Sequence, residues 1–302
     1  MTKFRAWLRA ARLRTLPLSL SGILVGTALA NIYGHWNLYI FIFALLTTVA
    51  LQITSNFAND YGDGIKGTDN EDRIGPARAL QSGQLSKREL KTGIRISVVI
   101  DLLLVSLLLY FSFKEEHLMY VLLFIIFGVA SIWAAIRYTV GNNAYGYKGF
   151  GDLFVFIFFG LLSVLGSMFL YTKFLMGIAI FPAASIGFLS AAVLNLNNLR
   201  DIESDKKANK NTFVVKIGRS KGKAYHFALI ILAFIFMVTF VVNHFYSWKS
   251  AICLIAFVPL FIHLKSVKNI ENPRNFDPEL KKVALSTFLL GFLFYIAYNY
   301  FL

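Results

Sequence analysis

Uncharged apolar runs of about 20 residues recur along this chain, each long enough to cross the hydrocarbon core of a bilayer as a helix. Nine are read, at roughly 15–34, 37–59, 93–113, 118–136, 152–172, 174–199, 224–243, 248–264 and 284–302. In hydrocarbon every backbone polar group must be satisfied internally, so runs of this length predict helices. Of the 302 residues 57% are hydrophobic, too many for a soluble domain of this size. The polar stretches 61–92, 200–223 and 265–283 only join spans, so one all-α, polytopic transmembrane domain over 1–302 is expected. Residues 1–14 are basic and amphipathic, but the run after them is long enough to span, so no cleavable targeting segment is expected.

Lys and Arg orient such a chain. With the N-terminus inside, 27 of the 30 lie on the inner side, leaving Lys114, Lys173 and Lys249 outside. This predicts a cytoplasmic N-terminus and a periplasmic C-terminus. Anionic headgroups of membrane lipids answer the net charge of +14. The basic residues are spread over membrane loops without a nucleic-acid-binding motif, so nucleic acid is not an expected partner. Cys253 stands alone, which excludes an intrachain disulfide. His35, His117, His226, His244 and His263 are scattered and form no zinc pattern.

Two Asp clusters close two of the runs. The first is Asn56-Phe-Ala-Asn-Asp60-Tyr-Gly-Asp63; the second is Asn197-Asn-Leu-Arg-Asp201-Ile-Glu-Ser-Asp205. Asn56 pairs with Asn197, and Asp60 with Asp201, at a constant offset of 141, a hint of a pseudo-repeat. If helix continues through each cluster, Asn56, Asp60 and Asp63 share one face, as do Asn197, Asp201 and Asp205. Carboxylates at the lip of a span are expensive and need partners. Carboxylate and amide oxygens suit Mg²⁺, with Mn²⁺ as a substitute. Two such clusters predict two divalent ions bridging a diphosphate, with Asn56, Asp60, Asp63, Asp201 and Asp205 as ligands.

The basic residues nearby predict a phosphate clamp: Arg14, Arg78, Lys148, Arg200, Lys206 and Lys210. Each also fits plain topology signalling. Tyr138 and Tyr147 are aromatic candidates near the inner surface, because ring faces stabilise an allylic cation. Asp101, inside a span, is expected to face inward and bond a neighbouring helix. Asp152 opens a helix, where the dipole alone favours an acid; it is also a site candidate.

These strings resemble the UbiA-type intramembrane prenyltransferases over essentially the whole chain. Asn56-x3-Asp60-x2-Asp63 resembles their first Asp-rich motif and Asp201-x3-Asp205 their second. Within that family they look most like the menaquinone branch, which acts on 1,4-dihydroxy-2-naphthoate. Its carriers are 59–67, 73–83, 197–212 and Gly146-Tyr-Lys-Gly-Phe-Gly-Asp152. The resemblance implies that family's nine-helix fold and a bacterial cytoplasmic membrane. It further implies transfer from a polyprenyl diphosphate to 1,4-dihydroxy-2-naphthoate, releasing CO₂ and diphosphate. Two residues separate Asp60 from Asp63, where many members have three, so Asp69 or Asp72 could supplement Asp63. Alternatives are another aromatic acceptor such as 4-hydroxybenzoate and, further off, an ion-coupled transporter. A lipid-head phosphotransferase fits poorly, because Gly67-Thr68 stands where that pattern has Ala-Arg.

Overall fold

The computed structural model describes residues 2–69, 73–113 and 117–300. Asp72 lies outside them. Among the described residues there is no strand, and nine helices are long and apolar enough to span. They are α1 (Lys3–Ile32), α2 (Leu38–Lys66), α3 (Lys87–Phe113), α4 (Leu118–Arg137), α5 (Gly151–Thr172), α6 (Gly177–Arg200), α7 (Phe213–Asn243), α8 (Trp248–Asn269) and α9 (Pro273–Tyr300).

Local chemistry sets the ends. Asn37 caps α2 by accepting from the backbone N–H of Tyr39 and Ile40 (2.9 and 3.2 Å), and Gly67 ends it in the left-handed region at φ 72°. Thr212 accepts from the Val215 N–H, so α7 starts at Phe213, well before the apolar run expected at 224. Lys173 at φ 65° terminates α5, which moves the start of α6 from the expected 174 to Gly177. Within α1 the amphipathic piece Lys3–Ala11 stops at Arg12, where φ is 50°. The membrane piece Leu16–Ile32 follows, with Pro17 in its first turn.

Helix α6 is the hub, packing against α5, α7 and α9, while α1 packs on α5 and α9. Small residues permit this, as lipid gives helices little hydrophobic reason to associate. A Cβ on Gly160 would stand 2.5 Å from the Gly187 Cα, so α5 and α6 touch backbone to backbone. Polar contacts inside the bundle add specificity. His263 links α7 to α9, with Nε2 2.8 Å from His226 Nε2 and Nδ1 2.5 Å from Glu279 Oε2. As expected, Asp101 faces inward, accepting a 2.6 Å bond from the Thr54 hydroxyl on α2. Helix α4 is peripheral: only Ile132 and Ala134 are buried, and Ile126 and Trp133 face outward.

Candidate active site

The first cluster lies on unbroken helix, since α2 runs to Lys66. The second does not. Its helix stops at Arg200, Asp201 has φ −97° and ψ 11°, and a short helix Ile202–Lys207 resumes. The i−4 ladder survives, with Asp201 N–H on Asn197 O (3.0 Å) and Asp205 N–H on Asp201 O (2.8 Å). The expected continuous face is therefore kept across a bend.

In each cluster the first acid is already engaged. Asp60 Oδ2 accepts from the Ala79 N–H (3.0 Å) and Oδ1 from the Leu80 N–H (3.3 Å), which moors the loop after α2. Asp201 takes a two-pronged contact from its neighbour Arg200, Nε to Oδ1 at 2.9 Å and Nη2 to Oδ2 at 2.7 Å. The Asn residues are engaged too. The Asn56 amide donates to Ala11 O (2.9 Å), holding the α1 break against α2, and Asn197 Oδ1 accepts from Arg200.

The second acids converge. Lys210 Nζ stands 3.6 Å from Asp63 Oδ1 and 3.8 Å from Asp205 Oδ1, one cation between the two clusters. Tyr147 donates its phenol to Asp63 Oδ1 (2.8 Å), and the Thr68 hydroxyl is 2.5 Å from the same phenol oxygen. Arg78 reaches Asp63 Oδ2 (3.4 Å) and Asp69 Oδ1 (3.5 Å), and Arg73 Nε lies 2.9 Å from Asp69 Oδ1. Burial, then the charge of Asp63, pushes the Asp69 carboxyl up to about 7 despite Arg73 and Arg12. Burial pushes Asp205 up to about 6, with Lys210 opposing. Burial would lower the Lys210 ammonium, yet Asp63 and Asp205 hold it above its usual range.

The basic candidates divide. Arg78 and Lys210 meet the acids. Arg200 does not remain available: buried at 2% exposure, it spends its fork on Asp201, Asn197 and Asp277 (Nη1 to Oδ1, 2.6 Å). Lys148 is exposed and bonds Asn143 Oδ1 (3.0 Å), and Lys206 is exposed as well. Arg14 points outward, and the left-handed turn at Arg12 brings that residue within electrostatic reach of Asp60, Asp63 and Asp69 instead. Arg12 and Arg73 were missed. Periodicity offered a signal for the first, as Arg5, Arg9 and Arg12 repeat at i, i+4 and i+7. Only the folded loop brings Arg73 in: a Cβ on Gly75 would stand 2.7 Å from Arg200 Nη2 and 3.0 Å from Arg73 Nη2.

A cavity of about 330 Å³ opens beside this cluster. Tyr138, Asn59, Gln52 and Ser55 line its polar end. Its apolar wall comes from α2, α3, α4 and a π-helical stretch of α5, Phe156–Gly166, including Phe158 and Phe159. The site thus pairs a lip of interleaved acidic and basic side chains with an aromatic apolar groove.

Residues 19–279 match the UbiA prenyltransferase family. The chain belongs to that family. UbiA relatives extend over nearly all of it. A 1,4-dihydroxy-2-naphthoate octaprenyltransferase of Haemophilus influenzae is 41% identical, covering 97% of this chain and 95% of that protein. The protein of the same name from Escherichia coli is 40% identical, with 97% and 95% covered. UbiA homologs of known structure share the fold. The apo protein from Aeropyrum pernix has a TM-score of 0.68 at 14% identity, covering 91% of this chain and 97% of its own. The one from Archaeoglobus fulgidus, bound to DMAPP and Mg²⁺, has a TM-score of 0.63 at 15% identity, covering 95% and 98%. This UbiA-family chain is therefore a prenyltransferase and an integral membrane protein.

Proposed function

We propose that the protein transfers a polyprenyl group from a polyprenyl diphosphate to 1,4-dihydroxy-2-naphthoate, releasing diphosphate and CO₂ and giving demethylmenaquinol, the reduced form of demethylmenaquinone. The observation that carries this reading is the likeness, at 40–41% identity over 97% of the chain, to two proteins with that named activity.

The lip is suited to a diphosphate. Arg12, Arg73, Arg78 and Lys210 supply positive charge in a site of low dielectric, where each counts for more than in water. The donor set fits hard divalent ions. Asp205 Oδ2 and Asp69 Oδ2 are buried without hydrogen-bond partners among the described residues. Among those residues no three acids or His close into a cage by themselves. That accords with Mg²⁺, which takes one or two carboxylates and completes its shell with water and substrate phosphate. Asp63 and Asp205 would hold it, with Asp69 in support. Two Mg²⁺ ions, or Mn²⁺ in their place, would neutralise the diphosphate and take up the charge that develops on departure. The groove is largely apolar, and its ring faces would stabilise an allylic cation. Tyr138, at the polar end, flanks the place where an electron-rich ring carbon would attack.

The charge count of the loops supports an orientation with this lip in the cytoplasm and the C-terminus in the periplasm of a bacterial cytoplasmic membrane. The test supplies membranes holding the protein with one polyprenyl diphosphate and either dihydroxynaphthoate or 4-hydroxybenzoate. Mass analysis should show the decarboxylated naphthol adduct; a product from 4-hydroxybenzoate alone would replace the acceptor.

A further inference from the structure

Asp152 takes no part in the acid cluster. It is 7% exposed, and neither carboxylate oxygen has a hydrogen-bond partner among the described residues. A buried carboxylate without a partner is costly to folding, so a chain that keeps one has a use for it. Its position says which. Asp152 lies one turn before Val155 on α5, and Val155, Phe159 and Ser163 then line the cavity at intervals of four. The adjacent Gly151 lies against two other lining residues, its would-be Cβ 3.2 Å from both the Leu194 side chain and the Tyr138 ring. Tyr138 is also within electrostatic reach of Asp152, Asp63 and Asp205. Asn195, next to Leu194, is wholly buried with both amide atoms unpartnered. Asp152 and Asn195 thus sit directly beside residues that line the inner end of the cavity, and no hydrogen bond among the described residues satisfies them.

We propose that Asp152 is the base that takes the hydroxyl proton of the aromatic acceptor and later returns it. This rests on the reading of the acceptor given above, in which a hydroxyl sits on the carbon next to the carboxylate-bearing one. As the carboxylate-bearing carbon bonds to C1 of the prenyl group, the C1–O bond breaks and diphosphate leaves with its electron pair. The hydroxyl becomes a ketone and its proton passes to Asp152. The C–CO₂ bond then breaks, its electron pair re-forms the aromatic enolate, and Asp152 returns the proton to that oxygen. No oxidant or further reactant is needed.

The test uses the full chain in lipid nanodiscs with farnesyl diphosphate and 1,4-dihydroxy-2-naphthoate. Asp152→Asn should lower kcat about 100-fold, within the range a positioned base contributes. KM for farnesyl diphosphate should stay within about twofold of wild type, as the base acts on the other substrate. The unfolding temperature should not fall, because a neutral isostere replaces an unpartnered charge. Asp152→Glu should recover at least about tenfold of the lost rate. A kcat for Asp152→Asn within about threefold of wild type would overturn the proposal. So would a lowered unfolding temperature shared by both variants, or loss of farnesyl diphosphate binding. Wild-type protein with no product from dihydroxynaphthoate removes the acceptor reading and this role together; active wild type with active Asp152→Asn removes this role alone.

Discussion

The two Asp clusters look equivalent in sequence and are engaged differently in the fold. Asp60 is held by two neutral backbone N–H groups, whereas Asp201 is held by the buried guanidinium of Arg200. Backbone donors come without a charge of their own to satisfy. Arg200 must itself be balanced, and it draws in Asn197 and Asp277. The first cluster therefore moors one loop, and the second ties the α6 end to α9. What the clusters share is their outer acid: Asp63 and Asp205 both turn to Lys210. The contacts that hold neighbouring segments and those that join the two clusters thus fall on different acids of each motif.

The shared part breaks first. Chelation with EDTA should take prenyl transfer to background, and Mg²⁺ should restore it; activity that survives chelation would remove the divalent ion from the site. Asp63→Asn and Asp205→Asn should each lower turnover about 10³-fold, on the scale of losing a preorganised electrostatic contact. Their unfolding temperatures should stay near wild type. Near-normal rates from either would show that the clusters do not act jointly.

The divergent part shows in stability. Asp201→Asn leaves Arg200 buried and underpaired and should cost about 3 kcal/mol in denaturant unfolding. Asp60→Asn keeps one acceptor for the loop and should cost only about 1 kcal/mol. Equal costs would mean that the two holding modes do not matter. The smallest contrast lies on α1. Arg12→Gln should slow turnover about tenfold, as expected for one lost charged contact, while outward-facing Arg14→Gln should change little. The reverse order, read from initial rates, would put Arg14 on the substrate.

Much of the fold was legible because hydrocarbon leaves a chain few options. Uncharged runs had to be helices, and among the described residues nine of them are. Errors came where polar chemistry extends or stops a helix, as at the Thr212 cap and the left-handed Lys173. The acids were legible for the same reason, since charge at a span's edge stands out. The basic partners were less so. Spacing could not tell that Arg200 would fold back onto Asp201, or that Lys148 and Lys206 would stay exposed. Nor could it tell that Tyr147, more than Tyr138, would touch the acids.

The sequence alone determined the number of spans, the two acid motifs and the family resemblance, because each depends on residue type and short-range order. Only the tertiary structure decided which partner each acid takes. A carboxylate at the end of a helix takes whichever donor the fold brings within about 3 Å, and that donor can lie anywhere in the chain. For Asp60 it is a loop 19 residues on; for Asp63 it is Tyr147, 84 residues away.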